Sequence, residues 1–346
     1  MKKMLILVAV VSLVAGSLFA EEAVLIDFTK LAADIHVAVG PNDDSDTPNQ
    51  NRATLMDYSS VRFGGSFTEE QKSVMKTSLA IENWEVVLAS SARTVTNMVL
   101  SRTREANSKQ WGKVLGVRVH FPVENYNSWA IIKPPFEIPA YEPQATIQDD
   151  GTIEAADESY EYTSPSRFEG GYGVVKNVGT IKSIAVNVYG LNFSHGLTTL
   201  IIDGSGNQKS MFMGYLNFDG WGELRWDNPA YIQEVRNRDL RLFPLYPEAT
   251  PFIKFAGFEI KRDASRLGGD FVTYFKDVKI IYDKAVLDTD RDIDDEGLWR
   301  IIQDRETARK VWEMERFGQS QVLRYLDTQK QATESTFTPS ETSSNQ

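Results

Sequence analysis

The side chains that most often carry catalysis occur in this chain, but not at the spacings that catalysis needs. The three histidines, His36, His120 and His195, lie far apart and show no paired spacing, so a His-based zinc site is not indicated. No Gly-x-Ser-x-Gly nucleophile motif occurs, and none of the 48 acidic residues lies in a recognisable glycosidase motif. The sequence therefore predicts a protein that is not an enzyme, with no catalytic residues, no metal and no cofactor.

Aromatic residues form a cluster whose composition suggests binding. The cluster comprises Phe212, Tyr215, Phe218, Trp221 and Trp226. If the rings are exposed they could stack on sugars or contact another protein, whereas most such residues serve the core. Two further tryptophans, Trp299 and Trp312, lie near the C-terminus. We take the four tryptophans, Trp221, Trp226, Trp299 and Trp312, as candidate interface or ligand-contact residues.

The aromatic cluster lies in residues 179–227, which are predicted to form a meander of four short strands. From residue 184 to 189 core-facing Ile and Val alternate with Ala, Asn and Tyr, which is the period of a half-buried strand. Residues 203–207 supply the Gly and Asn that a tight hairpin needs. About ten to twelve strands of this kind predict an all-β, jelly-roll-like antiparallel β-sandwich with loop insertions and a C-terminal helix.

Two stretches interrupt the predicted strands. The alternation of Trp84, Val86 and Leu88 predicts a strand that continues to residue 99, and the charged run 102–113 is then predicted to be a break. The acidic and polar residues 141–169 predict a loop insertion. The β-sandwich domain is thus expected to span residues 21–287, with an insertion at about 141–169.

The two ends of the chain differ from its body. Lys2 and Lys3 precede an apolar run over residues 4–14, and Ala20 precedes acidic residues, so residues 1–20 are predicted to be a signal peptide that is cleaved after Ala20. Residues 288–327 show the three- and four-residue apolar spacing of a helix. Residues 328–346 are mostly Thr, Ser, Gln and Glu and are predicted to be disordered.

The overall charge argues against two kinds of partner, and the apolar runs and the cysteine content limit how the chain can be anchored and stabilised. The formal net charge is −11, and an acidic surface repels nucleic acid and anionic lipid. After residue 20 no apolar run reaches the ~18 residues that a membrane-spanning helix needs, so membrane insertion is not expected. Because the chain has no cysteine, no disulfide can stabilise it, and its core alone must do so.

Several segments resemble one known family. Residues 127–141 read NSWAIIKPPFEIPAY, residues 188–204 read VYGLNFSHGLTTLIIDG, and residues 216–226 read LNFDGWGELRW. Together with similar segments elsewhere, they resemble the outer-layer (sheath) protein of the periplasmic flagellar filaments of spirochaetes, the A-type or FlaA family. The resemblance covers nearly all of the chain from the end of the signal peptide to about residue 288.

The resemblance implies a structural subunit in the periplasm. Such a subunit would coat a core of flagellin-type subunits and contact other copies of itself or related sheath proteins. It would contribute to filament stiffness, filament shape and cell motility. The alternative is a secreted carbohydrate-binding β-sandwich module, which exposed Trp221 or Trp226 on a concave sheet face would favour. A sugar-cleaving enzyme would need two facing carboxylates ~5 to 10 Å apart, and no motif indicates such a pair.

Overall fold

Two six-stranded antiparallel sheets pack into a β-sandwich. The structure is a computed structural model, and it describes residues 20–31, 54–58, 75–124, 126–141, 146–147, 153–154, 167–237, 251–265, 268–285, 293 and 295–334. The predicted all-β antiparallel fold is confirmed. The signal peptide predicted at 1–20 lies outside the described residues except for Ala20, and so does most of the loop insertion predicted at 141–169.

The first sheet, called sheet one, is built around a long central strand. Its strands are β1 (Glu21–Asp27), β5 (Arg102–Ser108), β6 (Gly112–Phe121), β11 (Val178–Leu191), β14 (Asp219–Asp227) and β16 (Gly269–Lys284). The order is β14-β11-β16-β6-β5, and β1 also pairs with β16. One side of β16 pairs with β11, while the other side pairs first with β6 and then with β1. The outer strands of sheet one are therefore β14 and β5.

The second sheet, called sheet two, has the same plan. Its strands are β4 (Glu85–Leu88), β7 (Ser128–Lys133), β10 (Val174–Lys176), β12 (Gly196–Asp203), β13 (Gln208–Tyr215) and β15 (Phe252–Arg262). The order is β13-β12-β15-β7-β4, and β10 also pairs with β15. Two small ribbons accompany the sandwich, β2 (Met56–Asp57) with β3 (Lys76–Thr77) and β8 (Thr146–Ile147) with β9 (Ile153–Glu154).

The four strands predicted within residues 179–227 are present, but they do not form one meander. β11 and β14 pair with each other in sheet one, whereas β12 and β13 form a hairpin in sheet two. The predicted turn of that hairpin is confirmed, with Gly206 at a φ of +78°. Alternation shows which residues of a strand face inward, but both inner faces of a sandwich have the same alternation. The sequence therefore could not assign each strand to its sheet.

The region from residue 84 to 113 corrects two predictions. The strand ends at Leu88, and helix α1 (Val95–Leu100) follows, with Thr94 Oγ1 accepting a hydrogen bond from the Asn97 backbone N–H at 3.2 Å. The charged run 102–113 is not a break, because it contains β5 and the start of β6. An edge strand with few inward residues has no apolar alternation to recognise. Thr103 is its buried anchor, and its hydroxyl lies 3.0 Å from two backbone carbonyl oxygens.

Aromatic side chains join the two sheets in the core. Phe258 of β15 stacks on Phe275 of β16, with ring centroids 4.1 Å apart and an interplanar angle of 12°. Phe28 and Phe255 pack around Phe258, and all four rings are buried. The sandwich therefore has one aromatic centre that belongs to both sheets.

The C-terminal helix is longer than predicted. After α2 (Tyr231–Asn237) and the short α3 (Asp295–Trp299), α4 extends from Ile301 to Glu334 rather than ending at 327. The extra residues include Gln, Lys, Ala and Glu, which favour helix although they supply no core. The rest of the tail predicted at 328–346 lies outside the described residues. In the described part of the chain, no helix is long and apolar enough to cross a membrane.

Candidate interaction surfaces

Trp221 lies on the outer face of sheet one, in a row of three aromatic side chains. It is opposite Tyr189 of β11, which is in turn opposite Tyr274 of β16. The ring centroids are 5.4 Å apart for Tyr189 and Trp221 and 5.9 Å apart for Tyr189 and Tyr274, with interplanar angles of 78° in both pairs. The three rings pack edge to face, so they do not form the flat surface on which a sugar ring would stack.

Trp226 points to the other side of the same strand. It lies opposite Ile184, which is fully buried, and its partly buried ring packs against the core beside Leu224. Trp226 is five positions after Trp221, and an odd separation places two strand residues on opposite faces. The structure therefore does not bring these two candidate residues into one site.

The rest of the predicted aromatic cluster is also divided between the sheets. Phe212 and Tyr215 are about half exposed on β13 of sheet two, with ring centroids 5.3 Å apart. Phe218 packs against the core and lies over Gly190 and Gly222 of sheet one. These residues are close in sequence because β13 and β14 follow each other along the chain, although the two strands belong to different sheets.

Trp299 and Trp312 are the most exposed of the four candidate tryptophans. Trp299 is 63% exposed at the end of α3, next to the equally exposed Leu298, and Trp312 is 57% exposed on α4. The guanidinium carbon of Arg316 lies 5.6 Å from the Trp312 ring centroid, which is a cation–π contact. The two helices thus present large apolar groups to solvent.

The opposite side of α4 is docked on the sandwich. Glu313 and Met314 are buried, and the ring of Phe317 lies 5.6 Å from that of Tyr58. Arg316 Nη2 donates to the carbonyl oxygen of Pro135 at 3.2 Å. The helix therefore lies on its own body through this side and leaves Trp312 free for another partner.

Glu137 supports this docking through a cluster of cations. Its Oε1 accepts a hydrogen bond from Lys254 Nζ at 2.6 Å, and its backbone carbonyl accepts one from Arg309 at 3.1 Å. Burial raises the pKa of the Glu137 carboxyl, but Lys254 and the charges of Arg309 and Arg316 outweigh that effect. The pKa of Glu137 is therefore lower than its ordinary value of 4.5.

Acidification is expected to loosen α4. A carboxyl whose pKa is lowered by folding stabilises the folded state above its ordinary pKa, and this contribution is lost as the pH falls through the lowered value. Protection of the α4 backbone amides against hydrogen exchange should therefore decrease as the pH falls below 4.5. In Glu137→Gln the α4 amides should already be less protected at neutral pH. Their protection should then not decrease further through protonation of this side chain as the pH falls. Equal protection of the parent protein at neutral and strongly acidic pH would contradict this role.

The described residues do not assemble a metal site. Within that part of the chain, no group of three or more His, Asp or Glu side chains could hold a metal ion. His120 instead pairs with Asp270, at 2.8 Å from Nδ1 to Oδ1, and Arg118 donates to both oxygens of the same carboxylate. The hydrogen bond from His120, together with the hydrogen bonds and charge of Arg118, outweighs desolvation and lowers the pKa of Asp270. These polar groups satisfy each other on the outer face of sheet one.

Comparisons with known proteins identify the family. The family model for the flagellar filament outer layer protein FlaA matches residues 47–291. The chain is 52% identical to a flagellar filament outer layer protein of Treponema pallidum, over 98% of this chain and 97% of that protein. The chain belongs to the FlaA family. Further FlaA relatives, also called flagellar filament outer layer proteins, occur in Spirochaeta aurantia, at 45% identity over 92% of this chain and 90% of that protein, and in Borreliella burgdorferi, at 32% over 90% and 84%.

Solved structures add only a distant likeness to the FlaA chain. TmCBM61 in complex with beta-1,4-galactotriose is 10% identical, with a TM-score of 0.25, and the match covers 57% of this chain and 88% of that one. A family 11 carbohydrate-binding module of Clostridium thermocellum is 8% identical, with a TM-score of 0.25 and coverages of 60% and 91%. Likeness at this level carries no argument about a ligand.

Proposed function

We propose that this FlaA protein is a structural, non-enzymatic subunit of the outer layer of the periplasmic flagellar filament. It coats a core of flagellin-type subunits and contributes to filament stiffness, filament shape and cell motility. The observation that carries the proposal is the family match over residues 47–291, together with 52% identity to a flagellar filament outer layer protein over nearly the whole of both chains.

Export by a cleaved signal peptide is part of this proposal. The strand β1 begins at Glu21, directly after the proposed cleavage site, and its first residues are bound to β16. Lys284 Nζ lies 2.9 Å from the Glu21 carboxylate, and Lys279 Nζ lies 3.0 Å from that of Glu22. These contacts support a folded body that begins at residue 21 and a leader, residues 1–20, that is removed in the periplasm.

The proposed domain order follows from the same division. The β-sandwich domain occupies residues 21–287 with its loop insertion at about 141–169, and the helical segment that follows from residue 288 continues with α4 to Glu334, beyond the predicted end at 327. The docking of α4 through Met314 supports a helical segment that belongs to the same subunit. Its exposed face then remains available for the filament.

The exposed face of α3 and α4 is the proposed contact with the flagellin-type core. Large exposed apolar groups mark protein interfaces, and tryptophan is the residue most enriched among those that dominate binding free energy. Trp299, Leu298 and Trp312 supply such groups on two consecutive helices. We infer that these side chains dock on the core filament.

Cosedimentation with isolated filament cores tests the proposed function. The purified protein from residue 21 onward should bind cores saturably, and the coated cores should be thicker in electron micrographs. Binding should occur at both low and high salt, and the amount bound should differ between the two. If the protein binds no cores at any salt concentration, the sheath proposal fails. A glycan array would then test the alternative of a carbohydrate-binding module.

Replacement of Trp299 and Trp312 tests the proposed contact. Trp299→Ala combined with Trp312→Ala should weaken core binding at least about tenfold, because exposed tryptophans at interface centres typically contribute that much or more. The melting temperature should change little, since both side chains are mostly exposed. Trp111→Ala, at a 39% exposed tryptophan of the β5–β6 turn, is the matched control and should bind cores normally. Unchanged binding by the double variant would assign the contact to another surface.

A further inference from the structure

The two edges of sheet one carry charges of opposite sign. On β5, Arg102 and Arg104 are exposed, and neither has an ion-pair partner among the described residues. These two exposed arginines contrast with the net charge of −11 of the whole chain. The β5 edge is thus a local basic site on an acidic protein.

The β14 edge is acidic and partly aromatic. Asp219, Glu223 and Asp227 are exposed along it, and Trp221 is partly exposed between the first two. Arg225 pairs with Asp227 at 2.8 Å, so this arginine does not neutralise Asp219 and Glu223 nearer the start of the strand. In the described part of the chain Asp219 has no ion-pair partner.

The register of the sheet places these groups at matching heights. Trp221, Tyr189, Tyr274, Gly116 and Arg104 are successive partners in one row from β14 to β5. Each strand is antiparallel to its neighbour, so the first and fifth strands of the order run in the same direction. Both edges therefore present their outer-face side chains in the same order, on the same face of the sheet.

We propose that the β5 edge of one copy binds the β14 edge of the next copy, head to tail. In this arrangement Arg104 faces Trp221 and lies between two carboxylates, while Arg102 faces Asp219. Arginine binds carboxylates by charge-assisted hydrogen bonds and binds an aromatic ring through a cation–π contact. The partner of each edge is therefore a second copy of this chain, because each edge supplies the charge that the other lacks.

This contact explains how subunits could cover a filament, and it rests on the proposed sheath function. A head-to-tail contact uses two different surfaces of each subunit, so it repeats without limit unless the rotation closes a ring. Such an interface generates an open array, which is what a layer around a long core requires. Its dependence on exposed charges also predicts that the array weakens with salt.

Charge reversal at each edge tests the proposal with purified protein from residue 21 onward and no cores. The parent should form concentration-dependent oligomers at low salt in sedimentation velocity. Arg102→Glu with Arg104→Glu gives two acidic edges, and Asp219→Lys with Glu223→Lys gives two basic edges. Each variant alone should associate at least about tenfold more weakly than the parent, because like charges then face each other. An equimolar mixture of the two variants should associate again, since every contact between unlike subunits is complementary.

A control of equal charge change separates the edges from net charge. Lys209→Glu with Lys261→Glu alters two exposed residues of sheet two, whose side chains are 57% and 53% exposed, and should leave self-association intact. The proposal is wrong if the parent stays monomeric at all concentrations at low salt, or if the mixed variants remain monomeric. Self-association without core binding would overturn only the sheath function, whereas core binding without self-association would overturn only the edge contact.

Discussion

Phe258→Ala is expected to lower the free energy of unfolding by about 3–5 kcal/mol, the usual cost of removing a buried phenylalanine ring. Phe258 is fully buried and stacks on Phe275 of the opposite sheet, with ring centroids 4.1 Å apart. It also packs against Phe255 at 5.0 Å and Phe28 at 6.1 Å. Because these rings come from both sheets, a close-packed sandwich cannot fill the cavity without moving one sheet toward the other. Equilibrium urea unfolding followed by far-ultraviolet circular dichroism measures the change.

Phe212→Ala is the matched control for this loss. It removes the same side chain from β13, where the ring is 48% exposed and contacts Tyr215 at a centroid distance of 5.3 Å. The expected loss is about 1 kcal/mol, the contribution of one aromatic pair. Equal losses for the two variants would show that the aromatic centre between the sheets does not dominate the stability of the fold.

The fold class followed from the sequence because alternation is a local signal. Ile184, Val186 and Val188 face the core as their period predicts, and all three are fully buried. The pairing of strands is not local, since β11 joins β16 across about ninety residues of chain, and the alternation within one strand does not identify the strand that lies beside it. For this reason the assignment of β12 and β13 to sheet two could not be predicted from the sequence.

The candidate surfaces could be predicted only where they depend on a single element. The odd separation of Trp221 and Trp226 along one strand already implies that the two side chains lie on opposite faces of the sheet. The aromatic row required Tyr189 and Tyr274 to be placed beside Trp221, which only the register supplies. The basic edge was missed because charged residues on an edge strand resemble a loop in sequence.

The docking of α4 illustrates the same limit. Its helical period was visible in the sequence, and the C-terminal helix is confirmed. The surface that receives it consists of residues near Tyr58 and Glu137, both more than 150 positions earlier in the chain. No pattern within the helix identifies such distant partners, so its exposed and buried sides could not be distinguished beforehand.

Met314→Asp is expected to detach α4 from the sandwich. Met314 is fully buried under the helix, and an unpaired carboxylate at such a position costs about 3–5 kcal/mol. The docking equilibrium should therefore fall at least about a hundredfold, since about 1.4 kcal/mol corresponds to a factor of ten. Hydrogen exchange should show loss of protection along residues 301–318, and limited proteolysis should cleave there first. Met314→Leu keeps the volume nearly constant and should remain docked, with a cost below about 1.5 kcal/mol.

The response of the sandwich to Met314→Asp decides what the helix does for the filament. If the body keeps its melting temperature while α4 detaches, the helix is an appendage that the body positions rather than a part of the fold. Core binding through Trp312 should then weaken, because a detached helix must lose conformational freedom again when it binds. Self-association through β5 and β14 should persist, since no hydrogen bond or ion pair among the described residues links α4 to either edge. If core binding is unaffected although the helix is detached, Trp312 does not depend on docking, and the core contact must form by another geometry.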